Sequence, residues 1–155
     1  MRWISRRNYD NRCTIGCFRR KIWLYRLDGT DVVLTQKDVR EVQLAKAAIQ
    51  AGIELLANRM DLRLTDIHQV YLAGAFGNYM NPASACRIGM IPSCLEQRII
   101  PIGNAAGEGA KRCALVLADY ERSKVLARET QYLELASAPE FQDTFVDALD
   151  FPEEL

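Results

Sequence analysis

Two stretches decide how this chain folds: Val70-Tyr71-Leu72-Ala73-Gly74-Ala75-Phe76-Gly77-Asn78 and Ile100-Pro101-Ile102-Gly103-Asn104-Ala105-Ala106-Gly107-Glu108-Gly109-Ala110. Each begins in a short apolar run and turns on a glycine. Short apolar runs bounded by turn residues predict buried, parallel strands at 70–73 and 99–102. In an open α/β sheet, ligands occupy the crevice beyond the carboxyl ends of the strands. Glycine there lets a ligand approach the backbone, and the exposed N–H groups of a following helix favour anions. Neither stretch is a P-loop, because GxxxxGK followed by Ser or Thr is missing, and Gly74 with Gly77 does not complete GxGxxG. From the residue pattern alone, tight turns and ligand loops are equal readings.

The flanking segments supply the alternation. Thr35 can cap a helix, with Asp38 three residues on as a short version of the capping box. Val39, Val42, Ala45, Ile49, Ile53 and Leu56 recur at spacings of three and four, which predicts one apolar stripe on a helix over about 36–58. Lys46 and Arg40 read as its solvated face. Gly74–Asn81 reads as a loop, and Asn81 as the cap of a short helix with Pro82 at its first position. Asn104 caps a helix of small residues to about Tyr120. Gln131–Leu135 reads as a last strand, and Ser137 with Glu140 as the capping box of a final helix carrying Phe141, Phe145 and Leu149. Upstream, Cys13–Phe18, Lys21–Leu27 and Asp31–Leu34 are strand candidates, with Asp28-Gly29 as a turn. Strands and helices in this order predict an α/β sheet flanked by helices.

Charge divides the chain. Residues 1–26 hold eight basic side chains and one acid, whereas Glu129–Leu155 holds eight acids and no base, within a formal net charge of zero. A uniformly basic nucleic-acid binder is excluded, and no recognition motif accompanies the basic arm, so nucleic acid is not the expected partner. A hydrophobic content of 49% and a charged content of 26% are globular values. No apolar run reaches the ~20 residues of a membrane span, and the Arg-rich start lacks the apolar core of a secretory signal. The five cysteines (13, 17, 86, 94 and 113) are odd in number and form no CxxC, which predicts reduced thiols in a cytoplasmic protein. Cys86, Cys94 and Cys113 read as packing residues in preference to a three-thiolate metal site. His68, the only histidine, reads as a surface or satisfied group.

Taken together, the two glycine stretches resemble the adenosine-binding half of the superfamily of sugar kinases, actin and heat-shock chaperone ATPases. The segment from Thr35 to Ile49, the runs Leu72-Ala73-Gly74-Ala75-Phe76-Gly77-Asn78-Tyr79, Arg87-Ile88-Gly89-Met90-Ile91-Pro92 and Gly103-Asn104-Ala105-Ala106-Gly107, and Phe151-Pro152 narrow the resemblance. They are similar, in order, to the C-terminal domain of reductive activators of corrinoid proteins. The resemblance implies an actin-like (ribonuclease H-like) ATPase lobe with a central mixed sheet and flanking helices over 29–155. Residues 1–28 stand apart as a basic segment with strand candidates at 13–27. The family uses ATP to drive a low-potential electron from an iron–sulfur cluster onto corrinoid cobalt, restoring Co(I) for methyl transfer. Carried over, Gly74, Ala75, Phe76, Gly77, Asn78, Gly103, Asn104 and Gly107 become nucleotide-binding candidates, and Mg-ATP the implied ligand. Glu108 is favoured as a first-turn carboxylate of its helix over a ligand to a nucleotide-bound metal.

The departures are as informative. Family members are several times longer and carry a ferredoxin-like domain with a 2Fe–2S cluster and the first half of the ATPase fold. Cys13 and Cys17 form CxxxC, which is not the plant-type cluster spacing. The sequence therefore offers no ligands for the cluster and no catalytic residue that can be named. The expectation is a truncated lobe of the activator, inactive alone, whose partners are a corrinoid protein and the missing N-terminal ferredoxin and ATPase regions; a homodimer is compatible with this. The competing expectation is a non-catalytic interaction module derived from the same family.

Overall fold

Thr35 and Asp38 cap each other at the start of the longest helix, α1 (Gln36–Arg59). The Asp38 N–H donates to Thr35 Oγ1 at 3.3 Å, while the Thr35 N–H donates to Asp38 Oδ2 at 2.7 Å. The reciprocal box satisfies donors that the first turn leaves open. The computed structural model describes residues 22–27 and 30–152. These fall into two compact units that part between Val42 and Gln43. In the first, β1 (Ile22–Leu27) pairs antiparallel with β2 (Thr30–Leu34), with a bulge between Trp23 and Tyr25. Of the other upstream expectations, Cys13–Phe18 and the Asp28-Gly29 turn lie outside the described residues.

The second unit is built on β3 (Val70–Ala73) and β4 (Ile99–Gly103), which pair in parallel as the apolar runs require. Val70 faces Ile99, Tyr71 faces Ile100 and Leu72 faces Pro101, and the register then shifts so that Ala73 faces Gly103. Pro101 has no N–H to give to the ladder, and the irregularity sits beside it. Val70, Leu72 and Ile99 pack on a cluster of Ala85, Cys86, Ile91 and Leu95, the last only 1% exposed. The opposite face is open, contrary to the expectation of full burial: Tyr71 is 57% exposed, and Ile100 and Ile102 are exposed as well.

Among the described residues, five α-helices surround or follow the pair. α2 (Gly74–Tyr79) replaces the loop expected at 74–81, because a left-handed Gly74 (φ 67°) turns the strand directly into a helix. α3 (Pro82–Arg87) starts where Asn81 accepts from the Ser84 N–H at 2.9 Å. α4 (Ala105–Leu115) does not run to Tyr120. Val116 adopts an extended conformation (φ −128°, ψ 109°), and α5 (Leu117–Glu129) follows, tied back by an Arg112–Asp119 ion pair of 3.0 Å.

The C-terminal segment corrects three expectations. Residues 131–134 form no strand, a 3-10 turn occupies Leu135–Ser137, and α6 (Pro139–Asp147) is capped by Ala138. Pro139 at the first helical position moves the boundary past Ser137. The Ser137 hydroxyl turns instead to the Glu134 carbonyl at 3.1 Å.

The third correction concerns α1. Its buried face is Lys46, Ala47, Ala51, Gly52, Leu55 and Ala57, whereas Val42 and Leu56 from the expected stripe are exposed. Small residues win because the chain lies close to the helix there: a methyl on Gly52 would sit 3.4 Å from Leu135 Cδ1. Lys46, expected in solvent, is 1% exposed. Its ammonium donates to the Asp150 carbonyl and lies 5.3 Å from the Phe151 ring centroid. Burial lowers its pKa from the ordinary 10.5, with the Asp150 carboxylate opposing. The unfolded chain then holds this proton more firmly. Raising the pH from the depressed value toward 10.5 therefore relieves a penalty, so alkali acting on Lys46 does not weaken the fold.

The α1 cap yields a pH prediction. Hydrogen bonds from Thr35 hold the Asp38 carboxyl below its ordinary 3.8. Its contribution is present above 3.8 and is lost as pH falls through the lower, folded value. Carboxyl-carbon NMR titration should find Asp38 below 3.8 in the native chain and shifted back upward in Thr35→Ala. An Asp38 titration unmoved by that substitution contradicts the reciprocal cap.

Candidate functional site

The candidate site lies where β3 and β4 end. Ala73 and Gly103 are register partners, so the two glycine turns open side by side at one edge of the parallel pair. Gly74 and Gly103 both have positive φ, 67° and 61°. This is the left-handed region, which residues with a Cβ enter only at a cost of about 1–2 kcal/mol. The sequence expectation placed eight residues here. The structure brings Gly74, Gly77, Asn78 and Gly103 together directly, and continues through Asn104 into α4.

The glycines differ in what they make room for. A Cβ on Gly77 would lie 2.2 Å from the Leu72 carbonyl oxygen and 3.0 Å from the Gly103 amide nitrogen. Gly77 therefore lets α2 rest backbone-to-backbone on the strand pair. A Cβ on Gly107 would lie 2.4 Å from Asn104 Nδ2. Gly107 thereby admits the Asn104 side chain, whose Oδ1 accepts from the Gly107 N–H at 3.1 Å. A Cβ on Gly74 would meet nothing within 4 Å, so Gly74 opens onto free space. Asn78 Oδ1 lies 3.3 Å from where a Gly103 Cβ would be, which puts its amide over the second turn.

The side chains around these turns are accessible. Phe76 is 56% exposed, and Ala75, Asn78 and Asn104 are exposed. Glu108, in the first turn of α4, faces Lys111 across 3.8 Å on the surface. A depression of about 370 Å³ lies elsewhere, lined by Glu54, Asn58, Asp61, Leu62, Arg63 and Leu64. It shares no residue with the glycine turns. The sequence candidates gather at the glycine turns and not at that depression, so the turn geometry is the guide to the site.

Cys86 is not an activated thiol. Burial, then the nearby Glu96 and Cys94, push the Cys86 thiol above its ordinary pKa, which makes it a poor thiolate. Among the described residues, no three His, Cys, Asp or Glu side chains come together as a metal or cluster site needs. The described donor set does not fit an iron–sulfur cluster. Among the described residues, no helix is long and apolar enough to cross a membrane.

Parallel strands whose carboxyl ends turn on left-handed glycines into helices define an α/β lobe of the kind that places ligands beyond its strand ends. Residues 14–155 match the family model described as the C-terminal domain of RACo, the ASKHA domain, and the chain belongs to that family. The fold is actin-like, and an ASKHA domain implies nucleotide binding. The corrinoid activation enzyme RamQ of Eubacterium limosum is 40% identical over 119 residues, 77% of this chain and 20% of that relative. A Co(II) methylated amine-specific corrinoid protein reductase of Methanosarcina barkeri is 25% identical over 125 residues, 79% of this chain and 23% of that protein. A solved reductive activator for corrinoid, iron–sulfur protein superposes with a TM-score of 0.78 at 33% identity, covering 85% of this chain and 22% of that one. The chain thus spans about a fifth of the length of the relatives it matches.

The two kinds of glycine separate by stability. Gly74→Ala should fold with a loss of about 1–2 kcal/mol, the strain of a left-handed alanine. Gly77→Ala must displace α2 from the Leu72 carbonyl and should cost more than that. Urea unfolding measures both. Equal losses would contradict the backbone-to-backbone packing at Gly77.

Proposed function

We propose that this domain forms the nucleotide-binding wall of an ATP-dependent reductive activator of a corrinoid protein. The observation that carries the proposal is the pair of left-handed glycines, Gly74 and Gly103, opening side by side at the carboxyl ends of two parallel strands. At Gly74 no side chain stands between the backbone and free space. An adenosine can approach there, with Ala75, Phe76 and Asn78 beside it. Gly103, Asn104 and Gly107 lead into α4, whose N-terminus attracts phosphate through its dipole and its exposed N–H groups. In this reading Asn104 has two duties, since its side chain already caps Gly107. Gly77 and Gly107 contribute by making room for α2 and for that cap, rather than by touching the nucleotide.

The names of the relatives support the rest. Two act in corrinoid activation or reduction, and the solved relative activates a corrinoid, iron–sulfur protein. Reducing Co(II) to Co(I) is uphill for ordinary cellular donors, so nucleotide binding and hydrolysis must offset it. This domain would supply the nucleotide contacts and a surface for the corrinoid protein, while the electron enters from a donor outside the described residues. A cytoplasmic setting fits the free thiols of Cys86, Cys94 and Cys113.

Titration calorimetry of the chain with Mg-ATP and with ADP tests the proposal. Binding at or below millimolar nucleotide is expected, and it should weaken in Gly74→Leu, whose side chain would enter the open space at that turn. A folded chain that binds neither nucleotide at millimolar concentration would refute the reading for this chain.

A further inference from the structure

The C-terminal residues do something the nucleotide reading does not use. From Leu135 at Gly52 the chain runs back along α1. Gln43 Nε2 then donates to the Leu149 carbonyl at 3.2 Å, and Lys46, one turn of α1 later, donates to the Asp150 carbonyl. Phe151 lies under the same ammonium, and Pro152 reaches Gly89, where a Cβ would meet its ring at 3.2 Å. Gly89 (φ 73°) is thus the notch that admits both the proline and the Lys46 ammonium, which would be 3.4 Å from that Cβ. The tail itself is exposed at Asp150, Phe151 and Pro152, yet Lys46 beneath it is 1% exposed.

We propose that residues 149–152 are a releasable strap, latched to α1 by Gln43 and Lys46 and to the 88–91 turn by Pro152. The energetics favour a latch over a permanent seam. Among the described residues, the buried ammonium donates to the Asp150 carbonyl and lies over the Phe151 ring, and the Asp150 carboxylate attracts it through space. Release returns that charge to water, and the regained hydration offsets the lost contacts. The strap is exposed at Asp150, Phe151 and Pro152, and exposed segments are among those that open locally below the global unfolding free energy. Its release frees the turn whose Gly89 and Met90 N–H groups bond to the Cys86 and Ala85 carbonyls at 2.9 Å. That turn ends α3 and borders the core cluster, so strap and core surface move as one local unit.

Lys46 itself reports the state of the strap. The chain is treated with N-hydroxysuccinimidyl acetate, and acetylation is followed by peptide mass spectrometry. The reference is Lys111, whose side chain is 66% exposed. In the intact chain Lys46 should react at least about tenfold more slowly, the ratio for an opening free energy of about 1.4 kcal/mol. Phe151→Ala, and separately a chain ending at Leu149, should bring Lys46 to the rate of Lys111. Amide exchange should quicken at Gly89 and Met90 while β3 and β4 stay protected. Acetylation of Lys46 as fast as Lys111 in the intact chain overturns the proposal. So does protection that survives both variants, and so does loss of β3–β4 protection in either, which would make the tail an integral part of the core.

Discussion

Backbone rests on backbone at Gly77, and the site depends on that contact. The Leu72 carbonyl and the Gly103 amide both lie where a side chain at 77 would begin. Because α2 can settle this close, the chain leaves β3 at Gly74, turns at once and covers the end of the strand pair. Asn78 then reaches the second turn, and Asn81 starts α3 in the right place to deliver Ala85 and Cys86 to the core. A larger residue at 77 would separate α2 from β4 and disperse the residues that the crevice gathers. Gly74 and Gly103 give the turns their shape, but Gly77 brings the turns together.

Much of this was legible from residue chemistry. The apolar runs at 70–73 and 99–102, each bounded by a glycine turn, announced two parallel strands, and they pair in parallel. Thr35 with Asp38, Asn81 with Pro82, and Asn104 each marked a helix start, because capping is local and its side chains are specific. What failed did so where tertiary contact outweighed local pattern. Periodicity in α1 favoured the large residues Val42 and Leu56, but the tail covers the small ones, Ala47, Ala51 and Gly52. Lys46 looked solvated because nothing local to it forecasts a carbonyl and a ring from residues 150 and 151. In the candidate site, the pattern pointed to the glycines as a group, but it could not separate the one that opens onto free space from those that make room for backbone or cap.

Apolar surface stays uncovered among the described residues. Parallel strands are ordinarily covered on both faces, yet Tyr71, Ile100 and Ile102 are exposed, as are Leu115, Val116 and Leu117 where α4 gives way to α5. The relatives that match this chain are about five times its length, and a nucleotide cleft needs a second wall. One wall can position a nucleotide, while in-line attack on its phosphates needs groups on the other side.

The central claim is that the two glycine turns receive a nucleotide. It is tested most directly by recording backbone amide NMR spectra of the chain as ADP is added. The account predicts saturable shifts concentrated at Gly74, Ala75, Phe76, Asn78, Gly103 and Asn104, with the residues around the Glu54–Leu64 depression unchanged. Shifts confined to that depression, or none at saturating ADP in a folded chain, would contradict it.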